Sequence, residues 1–147
     1  KSVILLVVKK VRMFGLFARV SRQRVFSGRL FPQPLTSASR SFAVVVAESD
    51  DHIRELMGQS EQKLVVIDWT ATWCGPCKRI APLYEAMSET HSDVLFVKAD
   101  VDDLADTAAE VGISSMPTFH FVKNFDLVAQ FSGADADAIE KLVNEHK

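Results

Sequence analysis

The chain of 147 residues predicts an α/β domain, a mixed central β-sheet covered by helices on both faces. Three observations predict it. Strand-length apolar runs alternate with segments of helical periodicity, a tight turn joins the last two strand runs, and an amphipathic segment closes the chain. With 48% hydrophobic and 24% charged residues the chain can bury a sizeable core. No stretch approaches the roughly 20 apolar residues of a membrane helix, and there is no internal repeat.

Taken in order, Ala43 to Ala47 reads as a short apolar strand. Ser49 with Asp50-Asp51 then supplies helix-start chemistry, a side-chain acceptor followed by negative charge at the positive dipole end. Ile53, Leu56 and Met57 give that helix its buried face, and Gly58 is the expected stop. Lys63 to Trp69 is a near-continuous apolar run, the pattern of a central strand covered on both sides. The next helix is expected to start at Cys74-Gly75-Pro76-Cys77 and run towards Thr90, with Ile80, Leu83, Tyr84 and Met87 facing inward. Pro82 inside it predicts a kink without a break, because the apolar spacing resumes beyond it.

Val94 to Val97 begins a third strand ending near Asp100. Leu104, Ala108 and Val111 mark a short helix closed by Gly112. Thr118 to Lys123 and Leu127 to Ser132 read as strands of a hairpin joined by Asn124-Phe125-Asp126. Asp135 to Glu145, with Ala138, Ile139, Leu142 and Val143 at helical spacing, is the last helix.

The net charge of −2 hides a segregation of signs. Residues 1–42 hold nine Lys or Arg and no Asp or Glu, whereas residues 43–147 hold eight basic and nineteen acidic groups, a net of −11. From Met13 the leader is rich in Arg, Ser and bulky apolar residues, and it resembles a mitochondrial transit peptide. Phe14, Phe17, Val20 and Arg24 would trace a helix face turning from apolar to basic, until Pro32 and Pro34 end it. Arg40-Ser41-Phe42 has the arginine-near-cleavage pattern of matrix processing. The expectation is a mostly disordered leader over 1–42, a domain over 43–147 and an address in the mitochondrial matrix, with plastid or cytoplasmic placement as the alternatives. A secretory signal or a basic arm for anionic partners are the other readings of the leader. Residues 1–12 precede the first methionine, Met13, and can lie upstream of the true start.

Cys74 and Cys77 are the only cysteines, separated by two residues in the spacing C-x-x-C and shortly after the Leu64–Trp69 run. Cysteines three apart in a first helical turn lie near bridging distance, so the pair can close and open a disulfide. Zinc sites use the same spacing, but zinc needs four ligands, and His52, His91, His120 and His146 are scattered singly. Redox chemistry is favoured over a metal site by that ligand count.

The order of elements, with Trp73-Cys74-Gly75-Pro76-Cys77-Lys78 after the second strand and Ser115-Met116-Pro117-Thr118 before the fourth, resembles the thioredoxin family. Asp68-Trp69-Thr70-Ala71-Thr72, Lys98, Gly112-Ile113 and Ser132-Gly133-Ala134 agree in order and spacing, so the resemblance covers residues 43–147. C-x-x-C near a βαβ pattern is itself a recognised signature of that fold. The resemblance implies a thioredoxin-like fold: a five-stranded mixed sheet flanked by four helices. The chain departs from it in carrying Phe125 where relatives usually have glycine, which implies either a left-handed Asn124 or a more ordinary turn. It also has Trp69-Thr70 where many relatives have Phe-Trp, and it lacks the further cysteines through which some relatives are regulated.

Roles follow for single residues. Cys74, at a helix start whose dipole and unpaired N–H groups stabilise a thiolate, is the expected nucleophile. Gly75 lets a substrate backbone approach, and Pro76 stiffens the turn where its missing N–H costs little. Cys77, one turn in and more buried, is the expected resolving thiol. Asp68 is its proton acceptor, with a pKa raised by burial and pulled back by Lys98, whose role rests mostly on the resemblance. Met116-Pro117 is expected to be cis, as in the family, and to face the dithiol. Trp73, Pro76, Met116, Gly133 and Ala134 would form an apolar collar for partner proteins.

The resemblance implies a protein-disulfide reductase acting on clients such as peroxiredoxins and contributing to redox homeostasis. A thioredoxin reductase would recharge it with electrons from NADPH, with no tightly bound cofactor and no metal. An oxidase or isomerase is the rival within redox chemistry; a binding subunit of a partner complex, independent of the sulfurs, is the rival outside it. No basic groove or phosphate-cradling glycine loop supports nucleic-acid binding, and a monomer is expected.

Overall fold

Val65 to Thr70, the second strand (β2), is buried along its whole length and forms the middle of a five-stranded sheet. The computed structural model describes residues 44–147; the leader and Ala43 lie outside the described residues. The sheet runs in the order β1 (Val45–Val46), β3 (Leu95–Asp100), β2, β4 (Thr118–Lys123) and β5 (Asp126–Ser132). β1 and β2 both pair parallel with β3, while β4 is antiparallel to β2 and β5 to β4. Four helices complete it: α1 (Asp50–Gly58), α2 (Gly75–Thr90), α3 (Ala105–Glu110) and α4 (Ala136–His146).

Side chains of β2 alternate between two cores, as the pleat requires. Val65, Ile67 and Trp69 pack with Ile53, Leu56 and Met57 of α1 and Ala108 of α3. Val66 lies on the other face with Ile80, Tyr84 and Met87 of α2 and Ile139 and Val143 of α4. A strand covered on both sides has no solvent face, hence a run that is apolar except at Asp68 and Thr70.

Ser49 caps α1, its side chain accepting from the His52 N–H at 3.2 Å. Asp50 serves a different end from the charge complement expected of it: its carboxylate accepts from both the backbone N–H and the hydroxyl of Thr107, at 2.9 and 2.5 Å. Those bonds pull its pKa below the ordinary carboxylate value and tie the start of α1 to α3. Asp135 caps α4 by accepting from the Ala138 N–H.

Gly58 ends α1 as expected, in ordinary helical geometry, φ −61°, and the chain then tightens into a 3₁₀ turn, Gln59–Glu61. The structure corrects three expectations. Leu83 points outward and is half exposed; it sits one position off the stripe Cys77, Ile80, Tyr84, Met87 that faces the sheet. The first strand is only two residues long. The hairpin turn is two residues, Asn124-Phe125, both left-handed at φ 53° and 65°, with Asp126 already in β5. Two left-handed residues are what a two-residue turn matched to the strand twist demands. Phe125 tolerates the conformation because its ring packs on the α1-side core, and Ser60 holds the turn from below. The Ser60 carbonyl accepts from Asn124 N–H at 2.7 Å and its hydroxyl from Phe125 N–H at 3.1 Å. α2 runs unbroken through Pro82, and Gly112, at φ 78°, follows the end of α3 as its expected stop.

His120 of β4 is buried against Trp69, ring centroids 6.1 Å apart and edge to face. Neither of its nitrogens has a hydrogen-bond partner among the described residues. Burial lowers its pKa from 6.5 to about 4. The unfolded chain therefore binds the proton first as the pH falls, so stability is full above about 6.5 and is lost as the pH drops through about 4, by on the order of 3 kcal/mol. His120→Leu is expected to remove that acid sensitivity; urea midpoints at pH 4.5 and 7 that fall equally in both proteins would refute it.

Candidate active site

The C-terminal end of β2 runs into Ala71-Thr72-Trp73, and α2 begins immediately after. Cys74 occupies the helix N-cap in extended geometry, φ −78° and ψ 110°. Its Sγ accepts from the Cys77 backbone N–H at 3.2 Å, and its own N–H donates to the Ala71 carbonyl at 3.1 Å. Pro76 lies in the first turn of α2, where no intrahelical partner for its nitrogen is lost. Cys74 and Cys77 form a disulfide, with Cα atoms 5.3 Å apart. The dithiol pair is thus held at the positive end of a sixteen-residue helix, where a thiolate is stabilised by dipole and N–H together.

Cys74 is less open than its place at a helix start suggests. In the disulfide form its accessibility is 5%, against 2% for Cys77; the two cysteines cluster with Ala71, and Val101 and Met116 pack against that cluster. Gly75 and Pro76 are exposed beside them, so the pair is approached from that side.

Trp73 is 65% exposed, which excludes a core role, and its indole N–H donates to Asp102 Oδ2 at 2.9 Å. Asp102 was not among the residues singled out from sequence; it lies in the acidic run Asp100 to Asp103, where nothing local distinguishes one carboxylate from the next. Its partner appears only when the β3 end folds beside the β2 end.

Met116-Pro117 is cis, and Met116 packs against the cluster of Ala71, Cys74 and Cys77. The segment is pinned from two sides. Thr118 Oγ1 donates to the Ser115 carbonyl at 2.8 Å and pairs with Ser132 Oγ at 2.9 Å, and the Gly133 N–H donates to the Pro117 carbonyl at 2.9 Å. Gly133 makes that bond at φ 122°, a conformation side chains disfavour. Gly133 is half-buried and Ala134 exposed.

Asp68 is buried at 2% accessibility, and its Oδ1 has no hydrogen-bond partner among the described residues. Burial raises its pKa from 3.8 to about 7, and the Lys98 ammonium opposes that rise. Lys98 stands opposite it in the parallel register of β2 and β3. Lys98 lines a cleft of about 340 Å³ together with Cys77, Lys78, Thr70, Ala71 and Asp100. A neutral-range carboxyl, a cation and a sulfur thus share one side of the sheet.

A sequence model of the thioredoxin family matches residues 43–145. The thioredoxin of Ovis aries is 46% identical over 98 residues, 67% of this chain and 93% of the relative. The solved thioredoxin of Fasciola hepatica is 36% identical with a TM-score of 0.68, over 71% of this chain and all of that one. A chain from a structure on the thiol-resolving mechanism of yeast mitochondrial 1-Cys peroxiredoxin via glutathione/thioredoxin systems is 34% identical, with a TM-score of 0.64 over 69% of this chain and 94% of that one. A redox-capable pair at the head of α2, in this sheet order and with these relatives, places the chain in the thioredoxin family of thiol–disulfide oxidoreductases.

Proposed function

We propose that the protein is a protein-disulfide reductase in which Cys74 attacks and Cys77 resolves. The observation that carries this reading is the cysteine pair on the first turn of α2 with a buried carboxyl of near-neutral pKa on the same side of the sheet. In the reduced protein the Cys74 thiolate attacks one sulfur of a client disulfide, forming a mixed disulfide and expelling the other client sulfur as a thiolate. Cys77 then gives its proton to Asp68 through water, attacks Cys74 Sγ and releases the second client thiolate. Two electrons pass to the client, the client thiolates take up protons, and Cys74–Cys77 is left oxidised.

A thioredoxin reductase drawing on NADPH would restore the dithiol. The collar of Trp73, Gly75, Pro76, Met116, Pro117, Gly133 and Ala134 receives an extended client segment, and peroxiredoxins are one client class, as the yeast relative's thiol-resolving context suggests. The deciding experiment is insulin-disulfide reduction with a thioredoxin reductase and NADPH, together with the measured potential. Turnover with a potential near −270 mV supports a reductase, and one near −180 mV supports an isomerase instead.

The acid-free leader supports a mitochondrial address, released near Phe42 or Ala43. N-terminal sequencing of the cell-derived protein is expected to begin there; a start at or before residue 20 would overturn the address.

A further inference from the structure

Tyr84 is a phenol in an otherwise apolar layer. Its ring lies between Phe96 and Phe119, with centroids 5.2 and 5.6 Å away, and the residue is buried. Its hydroxyl shares one proton between the Val66 carbonyl at 2.9 Å and the Val97 carbonyl at 3.1 Å. Val66 belongs to β2 and Val97 to β3. The ladder bonds from Leu95 N–H to Leu64 O and from Val101 N–H to Thr70 O bracket this stretch, so by the two-residue period both carbonyls lie in the seam between those strands. The next rung of that seam on the α2 side is Asp68 opposite Lys98. The phenol therefore bridges the strands one step below the pair.

We propose that Tyr84 is a positioning residue of the dithiol site, its hydroxyl clamping β2 to β3 beneath the Asp68–Lys98 rung and keeping the lysine's charge on the carboxyl. The inference rests on the reading of Asp68 as the proton acceptor for Cys77. The groups facing Asp68 are few. β3 brings Lys98, α2 brings Tyr84, and β4 brings Phe119, which carries no charge. Tyr84 feels the carboxyl in return, since the Asp68 charge adds to burial in raising the phenol's pKa.

Removing the hydroxyl acts on Asp68 in one direction. The two seam carbonyls lose a donor that had offset their negative ends, and the strand pair that holds Lys98 loses a tie. Both changes disfavour the carboxylate, so Tyr84→Phe is expected to move the Asp68 titration upward by on the order of half a pH unit.

The test is carboxyl-carbon NMR titration of Asp68 in the full chain, wild type beside Tyr84→Phe and Phe96→Leu, with insulin reduction followed over the same pH range. Phe96→Leu disturbs the same aromatic packing and leaves the hydroxyl in place. An upward shift in Tyr84→Phe alone, with the reduction profile following it, supports the proposal. An unmoved midpoint, or an equal shift in Phe96→Leu, overturns it and leaves the role of Asp68 standing. A moved carboxyl with an unmoved reduction profile upholds the clamp and overturns Asp68 as the acceptor.

Discussion

Cys74→Ser is expected to reduce no insulin above background, a loss of more than about three orders of magnitude, because the one remaining thiol, Cys77, is the more buried of the two and has no second thiol to resolve an adduct. Cys77→Ser fails differently. Its Cys74 still attacks, helped by the dipole and N–H groups at the start of α2, but nothing attacks Cys74 Sγ in the second step. Non-reducing gels and intact mass should then show covalent client adducts with Cys77→Ser and none with Cys74→Ser. Adducts that form through Cys77 instead would reverse the assignment of the two sulfurs. If the double serine variant sustains the biological activity while remaining folded, the chain acts as a binding subunit and not through its sulfurs.

Asp68→Asn is expected to be at least as stable as the wild type at neutral pH while reducing clients more slowly. The carboxyl has a folded pKa of about 7 against an ordinary value of 3.8, so between those values the folded protein holds a proton that the unfolded chain has released. Its contribution is fully present below about pH 4 and is lost as the pH rises through about 7, on the order of 4 kcal/mol across the window. Asparagine does not ionise and avoids that loss. Turnover is expected to fall about 10-fold to 100-fold, at or below the low end for a general base, because Cys77 lines an open cleft where water also takes protons. Denaturant unfolding from pH 4 to 8 and the reduction rate at pH 7 check both halves; clear destabilisation with unchanged turnover would make Asp68 structural. The slope is opposite in sign to that of His120, and the two overlap between about pH 4 and 6.5. A flat wild-type curve in that range is therefore no sign that either group is silent, and the single variants separate them.

The order of elements was legible because hydrophobic period and cap chemistry are local. Ser49 and Asp135 each accept from the N–H three residues on, and the buried positions Ile53, Leu56, Met57, Ile139 and Val143 fall at helical spacing. The misreadings came where neighbours far along the chain decide. Asn124 and Phe125 were ambiguous until Ser60, more than sixty residues earlier, supplied their acceptors. Leu83 carries the right hydrophobicity for an inner position, but which side chains of α2 meet the sheet depends on how the helix lies across it.

The same division runs through the site. The residue types and their spacing, Cys74 and Cys77 on one helical turn and Asp68 ending an apolar strand, are set by the sequence alone, because intrahelical distance and strand periodicity need no tertiary partner. Tertiary structure alone decided the environment: Met116 against the cysteine cluster, Asp102 on the Trp73 indole, Tyr84 across two carbonyls below Lys98, and the burial that lifts the Asp68 carboxyl towards neutrality. Desolvation and Coulomb terms depend on what surrounds a group in space, and a sequence lists its neighbours only along the chain.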